Sequence, residues 1–68
     1  MRMEACIVGK FPNRIMAERS AAAVRDMGIM DLKLMEEDTL SVYVEKSRYR
    51  QIEDAFTQFG GEVIESIN

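Results

Sequence analysis

The sequence predicts an α+β domain in which two helices cover one face of a four-stranded antiparallel sheet. The main observation is an internal repeat, because a shift of thirty-two residues superposes two helical stripes with the spacing i, i+3, i+7 and i+10. The stripes are Ala17, Ser20, Val24 and Met27 in the first half and Tyr49, Ile52, Phe56 and Phe59 in the second. A glycine follows each stripe, and a segment with strand-like alternation comes directly after it.

The first half begins with a predicted strand from Met3 to Val8, which we orient with the Glu4 side facing solvent. The segment from Gly9 to Asn13 breaks this strand. Because Asn13 can accept a hydrogen bond from an early helical amide and Pro12 suits the start of a helix, we expect a helix from about Asn13 to Met27.

A second strand is predicted from Ile29 to Met35, directly after the left-handed position expected at Gly28. Its alternation places Met30, Leu32 and Leu34 opposite Asp31 and Lys33. The three acidic residues from Glu36 to Asp38 cannot all be buried, so they predict a solvated turn. The alternation resumes from Thr39 to Val44, which indicates a hairpin.

The second helix is predicted to begin at Ser47, a good N-cap residue, and to end before Gly60. The last strand, from Glu62 to Ile67, has an unclear alternation because Val63, Glu65 and Ile67 share a side. Such a pattern is typical of an edge strand.

The predicted order is therefore β-α-β-β-α-β over one domain, residues 1–68. Right-handed crossover connections close this order into a ferredoxin-like sheet with the strand order 4-1-3-2 and both helices on one face.

Composition limits the function classes. A chain of 68 residues has a small hydrophobic core, and such domains are usually stabilised further by disulfides, metal ions or oligomerisation. A single cysteine cannot form an internal disulfide, and the absence of histidine disfavours a zinc site. We therefore expect the chain to form a dimer. Because the chain has a net charge of −3, which repels phosphates, we do not expect it to bind nucleic acid. No apolar segment is long enough to span a membrane and no signal peptide is evident, so we expect a cytoplasmic protein.

The first candidate site is the loop after the first strand. Gly9, Lys10, Asn13 and Arg14 could bind a small anion or an amino acid carboxylate through free helix amides and a basic counter-charge. The alternative is ordinary surface pairing with the acidic turn at Glu36 to Asp38, which the topology places at the same end of the sheet.

The second candidate site is the outer face of the sheet, the face that the helices leave uncovered. The residues predicted to form an interface there are Cys6, Val8, Met35, Tyr43 and Ile64. RNA-binding modules of this topology stack bases on two or three aromatic residues among basic ones. This face has one aromatic residue and several acidic ones, so a protein contact is the favoured interpretation.

Catalytic chemistry is not expected. The chain has no histidine and no serine in a nucleophile-elbow motif, and we predict no metal and no cofactor. Cys6 is expected to be a small apolar strand residue. A basic cluster at Lys46, Ser47, Arg48 and Arg50 could bind phosphate or an acidic partner, or form a solvated helix end in which Arg50 pairs with Asp54.

Four segments carry a resemblance to a known family: Ile7-Val8-Gly9, Asp26-Met27-Gly28-Ile29, the strand from Thr39 to Val44, and Phe59-Gly60. Together they resemble ACT domains, which are small ferredoxin-like regulatory modules that bind amino acids at protomer interfaces. The resemblance implies a ligand-sensing or regulatory module that works as a homo-oligomer. Residues 7–34 also look like small stress-induced ferredoxin-like proteins of bacteria. The alternative function is a protein-interaction or scaffold module with no small ligand.

Overall fold

A computed structural model describes residues 4–67, so Met3, the predicted first residue of the first strand, lies outside the described residues. The elements follow the order β-α-β-β-α-β. Their bounds are β1 Glu4–Lys10, α1 Arg14–Asp26, β2 Leu32–Met35, β3 Thr39–Glu45, α2 Tyr49–Gln58 and β4 Glu62–Ile67, with a 3₁₀ turn at Lys46–Arg48 before α2.

The strands form one antiparallel sheet in the order β2-β3-β1-β4, which is the predicted order seen from the other edge. β1 and β3 are the central strands, and their register pairs Cys6 with Tyr43 and Val8 with Ser41. The predicted ferredoxin-like α+β fold is therefore confirmed.

Both helical stripes face the core, because apolar residues repeating at helical spacing gain most when they are buried against the sheet. Ala17, Ser20 and Val24 of α1 and Ile52 and Phe56 of α2 are fully buried. They pack in one core with inner residues of the two central strands, which include Ile7, Leu40, Val42 and Val44. Burial of each large apolar side chain stabilises the fold by roughly 1.5–3 kcal/mol.

The two glycines of the repeat end their helices in the same way. Gly28 and Gly60 have positive φ angles of 88° and 77°. The amide of Gly28 donates to the carbonyl of Arg25, and the amide of Ile29 donates to the carbonyl of Val24. The second helix repeats this pattern at Gly60, so both helices end in Schellman motifs.

The first Schellman motif explains why β2 begins later than predicted. The strand was predicted from Ile29 but begins at Leu32. Ile29 is used to close the helix and is buried, whereas Met30 is 80% exposed and does not share the inner side with Leu32. Leu32 and Leu34 lie on the inner side, opposite Val42 and Leu40, as predicted.

Two further boundaries differ from prediction, because β1 continues through Gly9 to Lys10 instead of ending at Val8, and α2 begins at Tyr49 instead of at Ser47. Ser47 lies inside the 3₁₀ turn, and α2 begins at Tyr49 with no side-chain cap. Where β4 pairs with β1, the register shifts between Val8 and Gly9 of β1. Val8 is opposite Glu65, whereas Gly9 is opposite Val63, so Ile64 has no partner in β1. This β-bulge at Ile64 explains the unclear alternation, because Val63 lies on the inner side whereas Glu65 lies on the outer side. β4 is an edge strand, as predicted.

Candidate functional site

The loop after β1 lies beside the acidic turn, because the amide of Phe11 donates to the carbonyl of Asp38 at 2.8 Å. Phe11 itself is buried, and its ring meets that of Phe56 edge to face at 5.4 Å. Glu36 and Glu37 have left-handed backbone conformations and are exposed. The loop is thus fixed to the turn by backbone and aromatic contacts.

Most groups of the predicted ligand loop already have a structural role. A side chain at Gly9 would collide with the ring of Phe56. The space next to this glycine is therefore occupied by the protein's own core. The Asn13 side chain accepts from the amide of Met16 at 2.9 Å, which confirms the predicted N-cap. Arg14 pairs with Glu18 at 3.0 Å. Lys10 is exposed at the end of β1.

One member of the basic cluster near α2, Arg48, has a structural role that the sequence did not reveal. Arg48 donates from Nη2 to the carbonyl of Met27 at 2.9 Å, at the C-terminal end of α1. A cation there interacts favourably with the helix dipole. The predicted pairing of Arg50 with Asp54 is not among the ion pairs within residues 4–67. Because Arg48 and Met27 are distant in the chain, no local sequence signal could have revealed their contact.

The outer face of the sheet is built from rows of residues that the strand register places side by side. One row consists of Tyr43, Cys6 and Ile67. The next row consists of Lys33, Ser41, Val8 and Glu65. The following row consists of Met35, Thr39, Lys10 and Glu62.

The centre of this face has short side chains, and both apolar and charged side chains surround them. Ser41 and Thr39 are short side chains shielded by their neighbours, and the Ser41 hydroxyl lies 3.7 Å from the Cys6 sulfur. Around them, Tyr43 is 49% exposed, Ile64 54% and Ile67 58%.

The register brings the predicted interface residues to one face: Cys6, Val8, Met35 and Tyr43 lie in its rows, and the bulge leaves Ile64 exposed beside them. Ile67 was missed, because the bulge shifts it to the outer side while strict alternation grouped it with Val63. Hydrogen bonding to Cys6 and its charge raise the pKa of the Tyr43 phenol above its ordinary value of 10.0.

A shallow depression of about 200 Å³ adjoins this face, between the segment around Met30 and the end of β3. It is lined by Glu4, Asp31, Tyr43, Glu45 and Arg48, among others. Within residues 4–67 no group of three or more potential ligand side chains is arranged to hold a metal ion. No helix in this part of the chain is long and apolar enough to cross a membrane.

Comparisons with family models, with curated proteins and with solved structures find no match to this chain.

Proposed function

We propose that this chain is a non-catalytic binding module that works as a homo-oligomer, with the outer face of its sheet as the contact surface. The observation that carries the proposal is the apolar character of a face that neither helix covers. Tyr43, Ile64 and Ile67 are each about half exposed on or beside it. Exposed apolar side chains gathered on one surface and rimmed by charges are typical of protein contacts.

The small size of the domain supports the same proposal. A chain of this length buries only about 60% of the surface that its unfolded form exposes, so a second apolar contact adds a large share of stability. The inner face of the sheet is already filled by α1 and α2. The outer face offers a further surface on which apolar side chains can be buried.

The small-ligand function at Gly9 to Arg14 receives less support from the geometry. Asn13 and Arg14 already bind within the chain, and the space above Gly9 holds the ring of Phe56. This site and the resemblance to ACT domains stay predictions. A thermal-shift screen of amino acids and small anions tests them, with the Lys10→Ala/Arg14→Ala variant as the control that should abolish any shift.

Sedimentation equilibrium over a wide concentration range tests the proposed contact surface. The wild-type chain should show a reversible monomer–dimer equilibrium, and Tyr43→Glu should shift it strongly toward the monomer. The matched control is Ile15→Glu, which places the same charge at an exposed apolar position on α1, away from the sheet face. This control should associate like the wild type.

Two results would contradict the proposal. One is a wild-type chain that stays monomeric at millimolar concentration. The other is a dimer that Tyr43→Glu and Ile15→Glu affect equally. Far-UV circular dichroism should show that both variants remain folded, since both positions are exposed.

A further inference from the structure

We infer that the partner on the outer face is a second copy of this chain, related by a two-fold axis that runs parallel to the strands, with Lys33 of each copy against the partner's Glu65. This inference rests on the proposed function, because it specifies the geometry of the contact that the previous section assigns to this face. It concerns which residues meet, and it can fail while the contact surface itself is correct.

The charges of one row carry the inference. Lys33 and Glu65 lie on the two edge strands, and the register places both in the row that passes through Ser41 and Val8. Both side chains are exposed. With neighbouring strands about 4.8 Å apart, they stand roughly 14 Å from each other across the face. This row of the outer face therefore has a positive charge at its β2 end and a negative charge at its β4 end.

A symmetric dimer must place the same patch of both copies in contact. With the strands of the two sheets aligned, a face-to-face pair has two possible two-fold axes. An axis perpendicular to the strands and level with this row lays each edge strand over the same strand of the partner, so Lys33 meets the partner's Lys33 and Glu65 meets the partner's Glu65. An axis parallel to the strands lays β2 over the partner's β4. Lys33 then meets the partner's Glu65, twice per dimer.

The Tyr43 row also fits the parallel axis, although the same axis places Glu62 over the partner's Met35 in the last row. It lays β3 over the partner's β1, so Tyr43 lies over the partner's Cys6, a half-buried position with a small side chain. Packed sheets are about 10 Å apart, a gap that tyrosine on one side and cysteine on the other can fill. Glu45 and Glu4 also approach each other across this dimer. They lie at the strand ends, where water and salt screen their repulsion.

The edge strands offer a poorer contact than the face. The free edge of β4 is interrupted by the bulge at Ile64 and carries Glu62 and Glu65, both of which oppose strand pairing. The free edge of β2 has only four residues and includes Lys33. Short, charged or bulged edges are the means by which sheets avoid edge-to-edge association.

The area of the face indicates a weak dimer. Four strands at about 4.8 Å and six residues at about 3.3 Å give a face of roughly 400 Å², or roughly 800 Å² for both copies. Stable interfaces bury more than about 1,000 Å² in total. The dimer should therefore form and dissociate reversibly with concentration, and small electrostatic changes should alter it measurably.

Charge reversal tests the arrangement. We expect Lys33→Glu and Glu65→Lys each to raise the dimer dissociation constant about tenfold, equivalent to about 1.4 kcal/mol, because each removes two ion pairs and creates two repulsions. The double variant Lys33→Glu/Glu65→Lys should return to within about threefold of the wild type, since it exchanges the two charges. All four proteins are compared by sedimentation equilibrium at low salt.

The two single variants separate specific pairing from net charge. The wild-type chain has a net charge of −3. Lys33→Glu makes the chain more acidic, whereas Glu65→Lys makes it less acidic, so general repulsion predicts opposite effects and pairing predicts the same effect. Arg19→Glu, at an exposed position of α1, is the matched control for Lys33→Glu and should leave the dissociation constant nearly unchanged.

Weakening by both single variants together with rescue by the double variant would support the inference. Tighter association of Glu65→Lys, or no rescue by the double variant, would overturn it. If charge reversal has no effect while Tyr43→Glu still abolishes the dimer, the arrangement is wrong but the proposed contact surface stands. If the wild type does not dimerise, both are wrong.

Discussion

Substitution of Gly9 by alanine tests the packing that fixes the two layers of the fold. Gly9 is buried in β1 beneath the ring of Phe56, which is itself fully buried. A Cβ atom at Gly9 would overlap Cδ2 of this ring and lie 2.6 Å from Cε2. The ring cannot turn aside freely, because its edge contact with Phe11 holds it. The new methyl group must therefore displace α2 or the strand.

The expected magnitude follows from overpacking. Additional methyl groups in a filled core cost about 1–3 kcal/mol, and the reduced freedom of the unfolded chain returns about 0.4–1 kcal/mol. We expect Gly9→Ala to lower the free energy of unfolding by about 1–2 kcal/mol. A domain of this length has a total stability of about 3–10 kcal/mol, so the melting temperature should fall by roughly 10 °C.

A double-mutant cycle with Phe56→Leu isolates the contact. The smaller leucine leaves room for the methyl group, so Gly9→Ala should cost at least about 1 kcal/mol less in the Phe56→Leu background. Gly28→Ala is the control, because its positive φ makes it unfavourable while no atom lies within 4 Å of the added Cβ. It should show no coupling to Phe56→Leu. Urea denaturation gives all of these values, and a neutral Gly9→Ala would refute the packing argument.

Four further predictions concern single groups. Asn13→Ala should destabilise the chain by about 1 kcal/mol in urea denaturation, whereas Asn13→Ser should cost little, because serine also caps helices. Arg48→Met should cost about 1 kcal/mol through loss of the bond to the Met27 carbonyl, with Arg50→Met as a near-neutral control; equal costs would contradict the capping role. Ser20→Ala should raise the melting temperature, since the buried Ser20 hydroxyl has no hydrogen-bond partner and alanine favours the helix by about 0.5 kcal/mol; a lower melting temperature would count against this assignment. In a Tyr49→Phe background, absorbance titration should give Tyr43 a pKa above 10.0 that falls toward 10.0 in Cys6→Ala. Because the unfolded chain then ionises first, stability should fall as the pH rises from 10 through the folded pKa.

The fold could be predicted from the sequence because its signals are local and repeated. The stripe that includes Val24 and the stripe that includes Phe56 each have helical spacing, and the glycine after each one takes the left-handed conformation that ends the helix. Alternation in β1 and β3 identified the outer face, including Cys6 and Tyr43. These features depend on residues within a few positions of one another.

The features that sequence reasoning missed depend on distant contacts. The hydrogen bond from Arg48 to the Met27 carbonyl joins residues that are 21 positions apart, so it depends on how the two helices pack. No local pattern near either residue indicates it. The bulge at Ile64 follows from pairing β4 with β1, so the outward position of Ile67 was missed. Gly9 is a predicted member of the ligand loop, but the ring of Phe56, which is distant in the sequence, occupies the space next to it.

Alkylation of Cys6 tests most directly whether two copies meet face to face. Cys6 is the only cysteine of the chain and lies half-buried on a central strand of the outer face. In a face-to-face dimer the partner copy covers this thiol, whereas a dimer through the free edge of β4 leaves the outer face uncovered. The rate of reaction with excess N-ethylmaleimide should therefore fall as the protein concentration rises into the range where sedimentation shows a dimer, and this fall should be lost in Tyr43→Glu. A reaction rate that does not change with concentration in that range would contradict face-to-face association.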